Sequence, residues 1–122
     1  LYDTDLPPAV YDHHFARLAA PSGDFRALVA DRDGALHGLV HFVFHPHGWR
    51  IAGTCYLQDL FVAPPARGAG LGQALVAAVY AAADARGVAS VYWLTQTGNA
   101  TARQLYDRIA TPTDLMVYRR RP

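Results

Sequence analysis

The 122 residues contain no lysine; the whole Lys+Arg total of 11 is arginine. That absence excludes a phosphate-loop lysine, Schiff-base chemistry and any lysine nucleophile. Cysteine is almost as scarce. Cys55 stands alone, so no internal disulfide can form, and a reducing, cytoplasmic setting is expected. Charged residues make up only 17% and leave a formal net charge of +1, which gives no general attraction to nucleic acid or acidic lipid. The longest apolar stretches, such as residues 74–83, fall far short of the roughly 20 residues that cross a bilayer. The first residues carry no signal-peptide pattern.

What remains is a chain with 52% apolar residues, the composition of one globular domain spanning 1–122. It opens at Leu1, with aspartate and proline close behind, which suggests that a leading segment is absent. Pro7-Pro8 suits the first turn of a helix on which Val10, His14, Phe15 and Leu18 share a face, stopped by Pro21-Ser22-Gly23. Strands are predicted over 25–30, 36–45 and 53–62. Asp33-Gly34 forms the first hairpin turn, Pro46-His47-Gly48 the second, and Pro64-Pro65 ends the third strand.

The apolar period then changes. Leu71, Leu75, Val79 and Ala83 step by four, with Val76 and Tyr80 beside them, and predict an amphipathic helix over 70–86 closed by Gly87. Residues 88–94 read as a buried strand. Asn99 can cap a second helix carrying Ala102, Leu105, Tyr106 and Ile109 at i, i+3, i+4, i+7, and 115–118 reads as a last short strand. The result is an α+β mixed sheet: antiparallel strands, then β-α-β-α-β. The two strands joined by the first helix should be parallel.

The most informative segment is Arg67-Gly68-Ala69-Gly70-Leu71-Gly72, where a strand ends, glycines turn the chain and a helix begins. Unpaired N–H groups and partial positive charge make a helix start a phosphate site. Glycine lets backbone approach the anion, and arginine offers a planar cation. A dinucleotide fingerprint would need a third glycine where Gln73 or Leu75 stands, and a Walker loop would need Gly-Lys-Ser/Thr. An ordinary glycine-rich turn is the alternative.

This loop is similar to the R/Q-x-x-G-x-G/A pyrophosphate loop of the GNAT acetyltransferase superfamily. Leu60-Phe61-Val62-Ala63-Pro64 resembles the end of that family's fourth strand, and the residues from Asn99 to Tyr106 resemble its N-x-x-A-x-x-L-Y helix. The resemblance spans roughly residues 25–120 and is strongest to the histone/polyamine acetyltransferase-like branch, through Gln58-Asp59-Leu60-Phe61-Val62, Tyr92-Trp93 and Leu105-Tyr106-Asp107. Two departures stand out. The family's first strand and helix are not found, and Ala110-Thr111 replaces the usual Gly-Phe.

The resemblance implies a GNAT-like fold with a splayed parallel strand pair. It also implies direct transfer of acetyl from acetyl-CoA to a primary amine of a small molecule, polyamine or peptide. A non-catalytic acyl-CoA-binding, regulatory or dimeric interaction module of the same fold is the alternative. Cofactor contacts carry over to Phe61, Val62, Arg67, Gly68, Ala69, Gly70, Leu71, Gly72, Gln73, Asn99 and Tyr106, with backbone N–H near Phe61 and Val62 for the oxyanion. Tyr106 matches the family's general acid; core packing is its other role. Asp59 is the candidate base, or else a structural carboxylate. Strand alternation puts Tyr56 and Gln58 on the face opposite Asp59.

His41 and His45 share a strand face and are placed near the acceptor cleft. Neither they nor His47 has a carboxylate or cysteine completing a metal set, so no metal is expected. Cys55 reads as a small buried side chain, Arg119-Arg120-Arg121 as a solvated tail, and Trp49 and Trp93 as packing residues. A homodimer is possible through apolar final strands, as the family often pairs them.

Overall fold

The computed structural model describes residues 23–32 and 35–122. The helix expected after Pro7-Pro8 and the Asp33-Gly34 turn lie outside them. Three antiparallel strands come first: β1 (Phe25–Arg32), β2 (Ala35–His47) and β3 (Arg50–Val62). After a 3-10 turn at Pro64–Ala66 comes helix α1 (Leu71–Ala85), then strand β4 (Val91–Trp93) and helix α2 (Ala100–Ile109). The sheet order is β1-β2-β3-β4, with β4 parallel to β3 as a strand–helix–strand crossover requires.

Burial alternates along β2. Val40, Phe42 and Phe44 are buried and face α1; Leu39, His41, Val43 and His45 face the other way and are only partly covered. The core lies between the first face and α1, where Leu75, Val76, Val79 and Ala83 are all buried. These four belong to the predicted apolar stripe. On α2 the partly buried residues include the expected Ala102, Leu105, Tyr106 and Ile109, but none is fully buried. The Arg86 and Arg26 guanidiniums lie over the Phe44 ring, 4.2 and 5.5 Å from its centroid, and Arg86 also bonds Asp24.

Two expectations need correction. Residues 115–118 form no strand; Leu115, Met116, Val117 and Tyr118 are exposed. Apolar content alone does not make a strand, because a strand exists only by pairing with another, and 115–118 pairs with none of the four strands. The strand predicted over 88–94 is likewise shortened. Val88 is spent on the end of α1, its N–H bonded to the Ala83 carbonyl, and Thr54 Oγ1 pins Ser90 before the ladder begins at Val91.

Cys55 sits in β3 with no exposed surface, as expected of a small buried side chain. Burial pushes its thiol up to about 11 from an ordinary 9.0, with nearby Arg86 pulling the other way. The unfolded chain therefore ionises this thiol first. Folding stability should be level below pH about 9 and fall as the pH rises toward about 11. Denaturation midpoints measured from pH about 8 to about 10 should show that slope, and Cys55→Ala should flatten it.

Candidate active site

The β3–β4 ladder starts at Cys55↔Val91 and stops at Leu57↔Trp93, although β3 continues to Val62. Over those last five residues β3 keeps β2 on one edge and has no strand on the other among the described residues. The parallel pair is splayed, as expected, and Phe61 and Val62 line the gap from β3. A buried β-ladder leaves no room for an extended ligand arm; a gap beside a continuing strand does.

At the mouth of the gap the chain passes through Pro64–Ala66 into the glycine loop. Gly68 and Gly70 have φ of +84° and +79°, the left-handed region that favours glycine, and nothing lies within 4 Å of where a Cβ would stand on either. Gly70 caps α1 and leaves the first-turn amides, through Gln73, facing out of the helix start. Arg67 donates from Nε to the Val62 carbonyl at 3.1 Å, which ties the loop to the end of β3 and leaves its terminal nitrogens as the donors an anion would take. Ala69 and Leu71 complete the turn. Gly72 serves a different purpose: a Cβ there would meet Leu105 Cδ2 at 3.3 Å, so its bareness lets α2 close against α1. A cleft of about 340 Å³ lies on the β1–β2 side of the loop, lined among others by Ala30, His37, Ala66 and Gly70, and away from the strand gap.

The second helix brings Tyr106 to the gap from the α1 side. Asn99 caps it, with Oδ1 accepting from the Ala102 N–H at 3.3 Å. Arg103 donates to the Thr97 carbonyl at 2.8 Å, and Tyr80 on α1 donates to the Ile109 carbonyl at 3.4 Å, so both ends of α2 are tied down. The Tyr106 ring meets the edge of Trp93, the last β4 residue, at 5.4 Å. Burial holds the Tyr106 hydroxyl above the usual phenol range, so it is a proton donor at neutral pH.

The opposite face of the sheet carries a polar and aromatic group. His41 pairs with Asp59 across β2 and β3, and Nδ1 lies 3.4 Å from Oδ2. His45 Nε2 is 2.8 Å from the Tyr92 hydroxyl, and Tyr92 stacks on Tyr56 at 4.9 Å. Burial raises the Tyr92 hydroxyl, with Tyr56 and Cys55 adding to the effect. The expected separation of Tyr56 from Asp59 is wrong. His41 pairs with Asp59 but Phe42 pairs with Leu57, which leaves Gln58 as an extra residue in a β-bulge. The bulge resets the alternation, so Tyr56 and Asp59 share a face while Gln58 is exposed at the point where the ladder ends.

A strand gap, an open glycine loop at a helix start and a protonated tyrosine meet at one end of the sheet. The sequence also matches the family model of the Acetyltransferase (GNAT) family over residues 1–110. The chain belongs to the GNAT family. As a GNAT protein it is an acetyl-CoA-dependent N-acetyltransferase. It is 36% identical over 119 residues to the D-amino-acid N-acetyltransferase HPA3 of Saccharomyces cerevisiae, covering 96% of this chain and 74% of that one. Among solved structures it resembles the ribosomal-protein-alanine N-acetyltransferase of Brucella melitensis biovar Abortus 2308, with 26% identity, a TM-score of 0.75, and coverage of 94% and 81%. It shares its fold with AAC(6')-Iy in complex with the bisubstrate analog CoA-S-monomethyl-acetylneamine, with a TM-score of 0.82 at 18% identity, covering 95% of this chain and 81% of that one.

Set on this GNAT frame, the residues carried over as cofactor contacts fall into three places. Phe61 and Val62 line the gap, Arg67 to Gln73 form its mouth, and Asn99 and Tyr106 approach on α2. Asp59 lies on the far face with a partner that sequence reading did not assign to it. The signal for the bulge was present in the spacing: Cys55 and Leu57, two apart, face the core with Leu60, three further on. The His41–Asp59 pairing left no such trace, because it depends on a register between residues 18 apart.

Proposed function

We propose that this GNAT enzyme moves the acetyl group of acetyl-CoA directly onto a primary amine of a small molecule, polyamine or peptide, and that the α-amine of a free amino acid is its first acceptor class. The observation that carries the reading is the meeting of loop, gap and Tyr106 at one end of the sheet. The name of the yeast relative, a D-amino-acid N-acetyltransferase, supports the amino-acid acceptor.

In this reading Arg67, Gly68, Ala69, Gly70, Leu71, Gly72 and Gln73 hold the pyrophosphate with backbone amides and one guanidinium. Phe61 and Val62 take the pantetheine arm along the free edge of β3 and offer backbone N–H to the oxyanion. Asn99 fixes α2 and reaches the cofactor from its cap position. Tyr106 protonates the departing thiolate, and Asp59 serves removal of the amine's proton. No metal takes part. The lone cysteine supports a cytoplasmic setting. The exposed apolar residues Leu115 to Tyr118 support a homodimer.

Thiol release from acetyl-CoA, followed against D- and L-amino acids, a polyamine and a peptide N-terminus, tests the proposal. Release with an amine, and an acetylated product mass, is the expected result. Binding of acetyl-CoA without release for any amine would leave an acyl-CoA-binding module in its place.

A further inference from the structure

The far face of the sheet holds one carboxylate in contact with one imidazole, the carboxylate on the strand that borders the gap and the imidazole on the next strand over. Asp59 is the second residue of β3 beyond the last β3–β4 pair, and His41 is its partner on β2. Their side chains are 14% and 22% exposed, enough for a ligand to reach the pair and too little for water to swamp it. Among the described residues, β1 offers His41 only Phe25, Ala27 and Val29 on this face, with the Phe25 ring 5.8 Å away. From β3 come Asp59 and Tyr56, and along β2 His45 lies four residues on. Among the described residues Asp59 is therefore the charged side chain paired with His41.

An ionised carboxylate can only accept a hydrogen bond, so the imidazole must carry its proton on Nδ1. In the neutral ring that leaves the lone pair on Nε2. Tyr106 approaches the gap from the α1 side, through Trp93, whereas Tyr92, the neighbour of Trp93 in β4, faces the His41 side. Donor and acceptor of protons thus lie on opposite faces of the sheet. This suits a reaction in which one group arrives as another departs.

We infer that His41 Nε2 is the base that takes the proton from the attacking amine, and that Asp59 is a positioning residue holding its ring. The inference rests on the acetyltransferase reading above and names the atom that serves it. As the amine nitrogen bonds to the thioester carbon, the carbonyl pair moves onto oxygen and the N–H proton passes to Nε2. The oxyanion then collapses, the C–S bond breaks, and sulfur takes the proton of Tyr106. The products are the amide and the free thiol. The imidazolium gives its proton to solvent and the tyrosinate takes one back.

The test is the pH dependence of kcat/KM for one amine substrate. His41→Gln keeps a donor for Asp59 but removes the base. It should lower the neutral-pH value about 100-fold, remove the enzyme's acid limb and leave the KM for acetyl-CoA unchanged. Asp59→Asn should cost on the order of 10-fold and keep the limb. The reverse pattern, with the limb lost in Asp59→Asn and kept in His41→Gln, would make Asp59 the base and overturn the inference. The wild-type enzyme gives a readout free of folding defects. Its acid limb should stay in place across amines of different basicity and shift to lower pH on warming, as imidazole ionisation does. A limb that follows the amine, or that ignores temperature as a carboxylate does, also overturns the inference. Absence of turnover by the wild type with every amine would remove the acetyltransferase reading itself; turnover with an unaltered profile in His41→Gln removes only the role of His41.

Discussion

Gly70→Asp is expected to leave a folded protein that no longer binds acetyl-CoA. Aspartate tolerates the left-handed region better than most residues, and its Cβ would enter open space at φ +79°. The side chain would, however, put a carboxylate at the helix start, where the proposed pyrophosphate sits. Two unit charges about 4 Å apart in an effective dielectric of about 20 interact by about 4 kcal/mol. Each ~1.4 kcal/mol is a factor of ten, so affinity should fall on the order of 1000-fold. Calorimetric titration with acetyl-CoA reads the affinity, and a thermal melt reads the fold. Wild-type affinity in a folded variant would show that the loop is only a turn. Gly72→Asp would not be an equivalent test, because Leu105 occupies the space its side chain would need.

Tyr106→Phe is expected to lower kcat about 100-fold with little change in the KM for acetyl-CoA. The ring packing on Trp93 survives the substitution, so the loss would report on the hydroxyl. The low end of the general-acid range applies because a thiolate is a better leaving group than an alkoxide. The pH profile separates an acid from a packing residue. Burial raises the Tyr106 hydroxyl above its ordinary 10.0, so wild-type kcat should hold to pH about 10 and fall above it as the acid form is lost. The variant should lack that basic limb. Equal rates and an unchanged limb would return Tyr106 to the core of α2.

How much of this was legible in the sequence depends on whether a feature is local. The faces of α1 and α2 were readable because helix periodicity is written in neighbouring residues: Leu75, Val79 and Ala83, then Ala102, Leu105 and Ile109, lie where spacing puts them. The glycine loop and the Asn99 cap were readable for the same reason. Tertiary contacts were not. Nothing near Gly72 in the chain showed that its bareness also makes room for Leu105, and Asp59 had no partner until β2 and β3 were in register. Residues 115–118 failed in the other direction, since strand-like composition cannot reveal whether a segment pairs with an edge.

The extra residue at Gln58 has a consequence for how this enzyme can vary. A bulge acts as a phase slip in a two-residue rhythm, and everything downstream on β3 is read in the new phase. Removing Gln58 would change no chemistry at any other position. It would leave Asp59 opposite His41 and Leu60 in the core, because Leu57 and Asp59 would then follow each other on opposite faces in regular alternation. A change of length by one at a paired position would instead turn over the residues beyond it. The bulge is therefore the place where this strand can lose a residue without exchanging its faces.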